Sequence, residues 1–135
     1  MYSIKQIYKS MYDAVVGISD EVYIQDRPQS IDKRIDSYIL LEINSSIVNN
    51  EMNPNGEYGI FSGVVRFVLF VRNRTSAKNF NAININKMDE KFHELMSVFP
   101  ISDDFVHITR PSVLMSGNDG SDFHFVAVNA LIKTK

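Results

Sequence analysis

Cysteine is absent from the chain. That excludes disulfides, thiol nucleophiles and cysteine-based zinc or iron–sulfur centres. Glycine is scarce, with 6 in 135 residues, and no glycine-rich phosphate cradle is present. Charge of one sign is lacking as well. Lys and Arg number 14 against 16 Asp and Glu, a net charge of -2. Nucleic-acid binding by wholesale phosphate neutralisation is therefore disfavoured. The most apolar run, Gly63 to Val71, is too short for a membrane helix and is broken by Arg66. Met1 to Tyr12 has Lys5 and Lys9 spread through it and no continuous apolar stretch, so no signal peptide is expected there. Asn44-Ser45-Ser46 and Asn73-Arg74-Thr75 match the glycosylation pattern, which carries no weight without secretion. A reducing, cytosolic setting is the default expectation.

What is there suits one packed domain over residues 1–135. Hydrophobic residues make up 44% and charged residues 22%, which excludes disorder over most of the length. Ile4, Ile7, Tyr8, Met11 and Val15 recur at helical spacing, with Ser3 as N-cap and Gly17 as the stop. Val22 to Gln25 reads as a short strand closed by the turn Asp26-Arg27-Pro28, and Ser30 to Asp36 as a loop. Tyr38 to Val48 and Tyr58 to Arg72 read as strands of a hairpin, joined through Asn-Pro and Asn-Gly turn signals in Asn49 to Glu57. After a polar connector, Lys78 to Phe99 reads as a second helix ended by Pro100. Phe105 to Met115 and Phe123 to Lys133 are the last two strands, around a loop at Ser116 to Ser121. Pro111 marks an edge or a bulge. The expected order is α-β-β-β-α-β-β. It gives an α+β fold with a mostly antiparallel, curled sheet of four to five strands and two helices on one face.

Two strands carry surplus apolar surface. Val64 to Val71 and Phe123 to Val128 are mostly apolar on both parities, where a sheet with one wet face alternates. Their second face needs a loop, a fold-back of the sheet, or another subunit.

The motifs that could carry chemistry have structural explanations. Glu90-x-x-His93-Glu94 has the spacing of a di-iron motif but occurs once, so it reads as a solvated helix face. If the last strands pair around Gly117 to Gly120, His124 faces roughly Val113, too far from His107 to share an ion. Asn118 to Asp122 resembles part of a calcium loop but lacks its closing Glu. No Ser sits in a nucleophile elbow, and Asp103-Asp104 reads as a turn. Arg66, Arg72, Arg74 and Lys78 form a basic cluster, with Arg66 and Arg72 on one strand parity and Phe70 between them. Solubilising charges, or salt bridges across a subunit contact, explain it better than a nucleic-acid track.

The layout resembles the tail-terminator and head–tail connector (neck) proteins of tailed bacteriophages. An amphipathic N-terminal helix, the short strand Val22 to Gln25, a turn at Pro28 and a long hairpin ending in Val64 to Val71 come first. The connector Asn73 to Lys78, a second helix at Asn81 to Met96 and a closing hairpin on Gly117 to Asp122 follow. The resemblance implies a non-enzymatic virion subunit without cofactor or metal. It implies a homo-oligomeric ring, commonly a hexamer or dodecamer, that terminates the tail or joins head to tail. Adjacent portal, connector or tail proteins would be its partners, DNA would pass through the lumen, and no membrane would be involved. Candidate subunit contacts are Asn53, Asn55, Glu57, Arg66, Phe70, Arg72, Asn118, Asp119 and Asp122. Two other readings stay open. One is a small ligand-binding domain or enzyme with a pocket lined by Phe67, Phe70, Phe123 and Phe125. The other is a monomeric or dimeric module that binds a partner through a sheet edge.

Overall fold

The computed structural model describes residues 3–28, 30–43, 48–52, 58–74, 83–118 and 122–135, without the side chains of 49–52, 58–60, 114, 115 and 118. The fold is α+β. The elements are α1 (Ile4–Val15), β1 (Glu21–Ile24), β2 (Ser37–Ile43), β3 (Val48–Met52), β4 (Tyr58–Arg72), α2 (Ile85–Ser97), β5 (Ile101–Ser102), β6 (Val106–Asn118) and β7 (Phe123–Thr134).

Local signals set α1. The Ser3 hydroxyl accepts from the Gln6 N–H at 3.3 Å, which satisfies an otherwise orphaned donor of the first turn. Gly17 leaves the helix at φ +93°, a conformation a Cβ would oppose. Ile7, Tyr8, Met11 and Val15 are buried. The second helix starts later than expected, at Ile85 rather than Lys78. Asn84 caps it by accepting from Lys87 N–H at 3.3 Å. Asparagine stabilises a helix start better than a helix interior, and this one marks the boundary.

Among the described residues the sheet has seven strands, in the order β1-β2-β4-β7-β6-β5, with β3 also paired to β4. The expected four to five strands therefore fall short. Of the two additional strands, β3 occupies part of the expected turn Asn49 to Glu57, and β5 is a two-residue pair with β6. The sheet is also mixed, because β1 runs parallel to β2. Parallel neighbours cannot be joined by a tight turn and need a crossover of about a dozen residues. Residues 25–36 are that crossover. Strand β6 extends past the expected end at Met115, and its ladder slips between Thr109 and Ser112 and again between Val113 and Met115. The first slip holds Pro111 and Arg110, the latter at φ 55°. A bulge accommodates a proline that cannot donate to the ladder.

Each face of the sheet has its own core. Both helices pack on one face, where Ile39, Leu41, Val65, Phe67, Leu69, Val128 and Ile132 meet Ile7, Met11, Val15, Met88 and Leu95. Phe67 is fully buried there, with Phe99 edge-on at 5.4 Å. The second face holds Tyr38, Leu40, Val68, Phe70, Phe123 and Ala127, with Ile31 and Ile35 of the crossover packed on them. Tyr38 stacks on Phe70 at 4.4 Å and meets Phe123 edge-on at 5.0 Å. The crossover thus supplies cover for part of the apolar surplus of β4 and β7.

Candidate functional site

The long strand β4 organises the candidate contact regions. Its 15 residues run from the β3–β4 hairpin to the point where Arg72 pairs with Phe123, next to the β6–β7 hairpin. Fourteen steps at ~3.3 Å separate the two hairpins by about 45 Å. The described residues that flank the two expected contact loops therefore lie at opposite ends of β4. Between Met52 and Ser62, β3 and β4 pair with each other, whereas the ladder between β4 and β7 begins at Ser62 and Lys133. The β3–β4 pair extends beyond the rest of the sheet as a ribbon.

Asn53, Asn55, Glu57 and Asp119 lie outside the described residues. Asn118 ends β6, paired with His124. Asp122 is exposed, and its carbonyl accepts from Asn73 N–H at 2.7 Å. Arg66, Phe70 and Arg72 share the second face. Phe70 is only 6% exposed, under Tyr38 and under the Arg27 guanidinium at 5.1 Å. Arg27 also donates to the Tyr38 hydroxyl at 2.6 Å. Arg72 is occupied inside the chain. Its Nε and Nη2 donate to the Ile35 carbonyl at 3.1 and 2.8 Å, and Nη2 also donates to the Asp32 carbonyl at 3.1 Å. Its guanidinium lies 4.6 Å from the centre of the Phe123 ring, and Asp36 and Asp122 stand at 3.7 Å. Arg66 Nε donates to Asn129 at 3.1 Å. Arg72 and Phe70 thus fasten the crossover to the sheet.

The other constellations resolve as follows. His93 Nδ1 bonds the Asp89 carbonyl at 2.8 Å, on an exposed part of α2. Among the described residues no group of three His, Asp or Glu could hold a metal ion. His124 opposes Asn118, not Val113, because β6 runs further into the hairpin than expected. His107 opposes Lys133, which puts the two histidines about 30 Å apart along β7. His124 Nδ1 instead bonds the side chain of Asn73. Burial pushes the Asp103 carboxyl up, but bonds from Ser10 and from the Phe105 and Val106 N–H groups outweigh it and hold the group below its ordinary value. It fixes the β5–β6 turn. The proposed aromatic pocket does not assemble: Phe67 faces the helices, while Phe70, Phe123 and Phe125 face the other way.

A cationic row escaped the sequence reading. Ser102 pairs with His107, and His107 pairs with Lys133, so three neighbouring strands place these side chains on one rung of the second face. Lys135 Nζ donates to the Ser102 hydroxyl at 2.9 Å. Together with Thr134 these residues line one shallow depression. The signal in the sequence was the alternation Lys133-Thr134-Lys135; the position of His107 depends on the register.

No family model matches the chain, and no curated protein matches it.

Proposed function

We propose that the chain is a non-catalytic ring subunit of the neck or tail of a tailed bacteriophage, in which each copy grips the next. The carrying observation is the opposed placement of the two hairpin regions at the ends of β4. Contacts made by different patches of one chain are heterologous, and a heterologous contact generates a ring when its rotation closes. A projecting two-stranded ribbon adds support, since such a ribbon is marginally stable unless it packs against something. On this reading the ring terminates the tail or joins head to tail within the virion. Its neighbours are portal, connector or tail proteins, and DNA passes through its lumen without sequence-specific contact. Arg72 and Phe70 hold each subunit together, so the gripping surfaces are the regions around Asn53 to Glu57 and Asn118 to Asp122.

The test is mass by light scattering after size exclusion, across concentration and salt. A closed hexamer or dodecamer is the expected result. A monomer throughout would overturn the ring. It would favour partner binding along the outer edge of β6, which beyond Ile108 has no strand partner among the described residues.

A further inference from the structure

We propose that the outer edge of β6, with the groove between it and α2, binds an extended segment of another protein in which a Lys or Arg accompanies alternating apolar residues. Beyond Ile108 this edge has no strand partner among the described residues. Its outward backbone N–H and C=O groups are a template for an added strand. The bulge at Arg110 and Pro111 sets where the template begins, because the ladder slips there and proline donates no hydrogen bond. Residues 112–118 remain, about 20 Å of edge, with one slip between Val113 and Met115 and a regular ladder from Met115 to Asn118.

The flank of this edge selects the occupant. Successive residues of an added strand point to opposite faces, so every second one falls on the helix-bearing face, beside the groove. Ile85 and Phe92 of α2 form the groove's wall, and Val113, Ser116 and Val126 its floor. Ile85 is 58% and Val113 53% exposed, apolar surface that an apolar side chain would cover. Asp89 also lines the groove, and among the described residues no Lys or Arg does. The Asp89 carboxylate has His93 at 3.3 Å, a partner that is charged only when protonated. The two lysines of α2 are engaged elsewhere, Lys87 with Asp36 and Lys91 with Glu94. A cation on the occupant therefore completes the site. The chain's own outer strands do not supply one. β1, β3 and β5 hold two glutamates and no Lys or Arg, and residues 112–118 hold no charge at all. A second copy offering any of these strands would set a glutamate or a neutral residue against Asp89, so the complement is a different protein. This inference does not rest on the ring reading.

The experiment is fluorescence anisotropy of labelled heptapeptides titrated with the full chain. The probe is Lys-Thr-Val-Thr-Val-Thr-Lys, which puts valines and both lysines on one strand face, so that either strand direction brings a lysine towards Asp89. Saturable binding is expected, weakened at least about tenfold by Val113→Asp and by Ile85→Asp. Both side chains are more than half exposed, and circular dichroism checks that the variants are folded. Val16→Asp, at the end of α1 and 51% exposed, should leave binding unchanged. Asp89→Asn should weaken the lysine-ended peptide about 2–5-fold, the range of an exposed ion pair, and leave a glutamine-ended peptide unaffected. Two further peptides carry N-methyl groups on one or the other set of alternate amides. One set should abolish binding and the other should not, because an added strand turns only every second amide to the edge. No binding at about 1 mM peptide would overturn the proposal. So would undiminished binding to Val113→Asp, or equal binding of the two N-methylated peptides. Light scattering on the same samples identifies the occupant. An oligomer that Val113→Asp takes apart would assign the groove to a second copy and overturn the proposal. A ring that survives Val113→Asp while peptide binding is lost supports both readings, and a monomer that binds the peptide refutes the ring alone.

Discussion

Replacing Arg72 by alanine should destabilise the domain by about 2–3 kcal/mol. The side chain is 22% exposed and donates to two carbonyls of the crossover, Ile35 and Asp32. Hydrogen bonds from a charged group contribute roughly 1.5–3 kcal/mol, and the partial exposure of Asp32 places the set near the lower end. The contact with the Phe123 ring at 4.6 Å adds about 0.5–1 kcal/mol. The ion pairs to Asp36 and Asp122 add little, since both are 3.7 Å long and those carboxylates are 55% and 80% exposed. In a domain of this size the loss corresponds to a fall in Tm of roughly 6–12 °C. Reversible thermal and urea unfolding followed by circular dichroism measure it. Arg72→Lys should recover less than half, because one ammonium cannot reproduce the planar fork that reaches two carbonyls and covers a ring. The loss should persist in about 1 M NaCl, where surface ion pairs are screened. A change below about 0.5 kcal/mol for Arg72→Ala, or a loss abolished by salt, would refute the view that Arg72 pins the crossover through hydrogen bonds.

Other substitutions test other parts of the fold. Ser3→Ala should cost about 1 kcal/mol in urea unfolding, because the hydroxyl accepts from Gln6 N–H, and Asn84→Ala should behave alike at the start of α2. Phe67→Ala should cost about 3–5 kcal/mol by the same assay, since the ring is fully buried between the sheet and Phe99. Asp103→Asn should destabilise the chain near neutral pH. The folded carboxyl is held below its ordinary value of 3.8, so its stabilisation is fully present above that pH and fades as pH falls through the lower folded value. The gap in stability between wild type and variant should therefore close below about pH 4; a gap that stays constant from pH 7 to pH 3 would contradict this.

Local chemistry made α1 legible, whereas α2 begins at Ile85 rather than at Lys78. Ser3, Gly17 and the stripe Ile7–Met11–Val15 act within a turn or two of one another, and α1 follows the sequence reading closely. The surplus apolar strands were legible too, and Ile31 and Ile35 of the crossover cover part of that surface. The parallel pairing of β1 was hidden, since four residues carry no periodicity that distinguishes parallel from antiparallel neighbours. The slips in β6 depend on Arg110 at positive φ, which nothing in Thr109-Arg110-Pro111 demands beyond the proline. That slippage, with the extension of β6 to Asn118, moved His124 away from Val113 and brought His107 opposite Lys133. The cationic row was invisible for the same reason. It is a product of register between strands distant in the chain, while a charge total sums over the whole surface. Arg72 was legible as a charged residue among aromatics; its engagement with the Asp32 and Ile35 carbonyls depends on where the crossover lands.

Electron microscopy of the purified chain tests the ring most directly. The expected result is annular particles of uniform diameter with one central lumen and six- or twelve-fold rotational symmetry, as a closed heterologous contact requires. Compact particles of single-subunit size, with no lumen at any protein concentration, would contradict it.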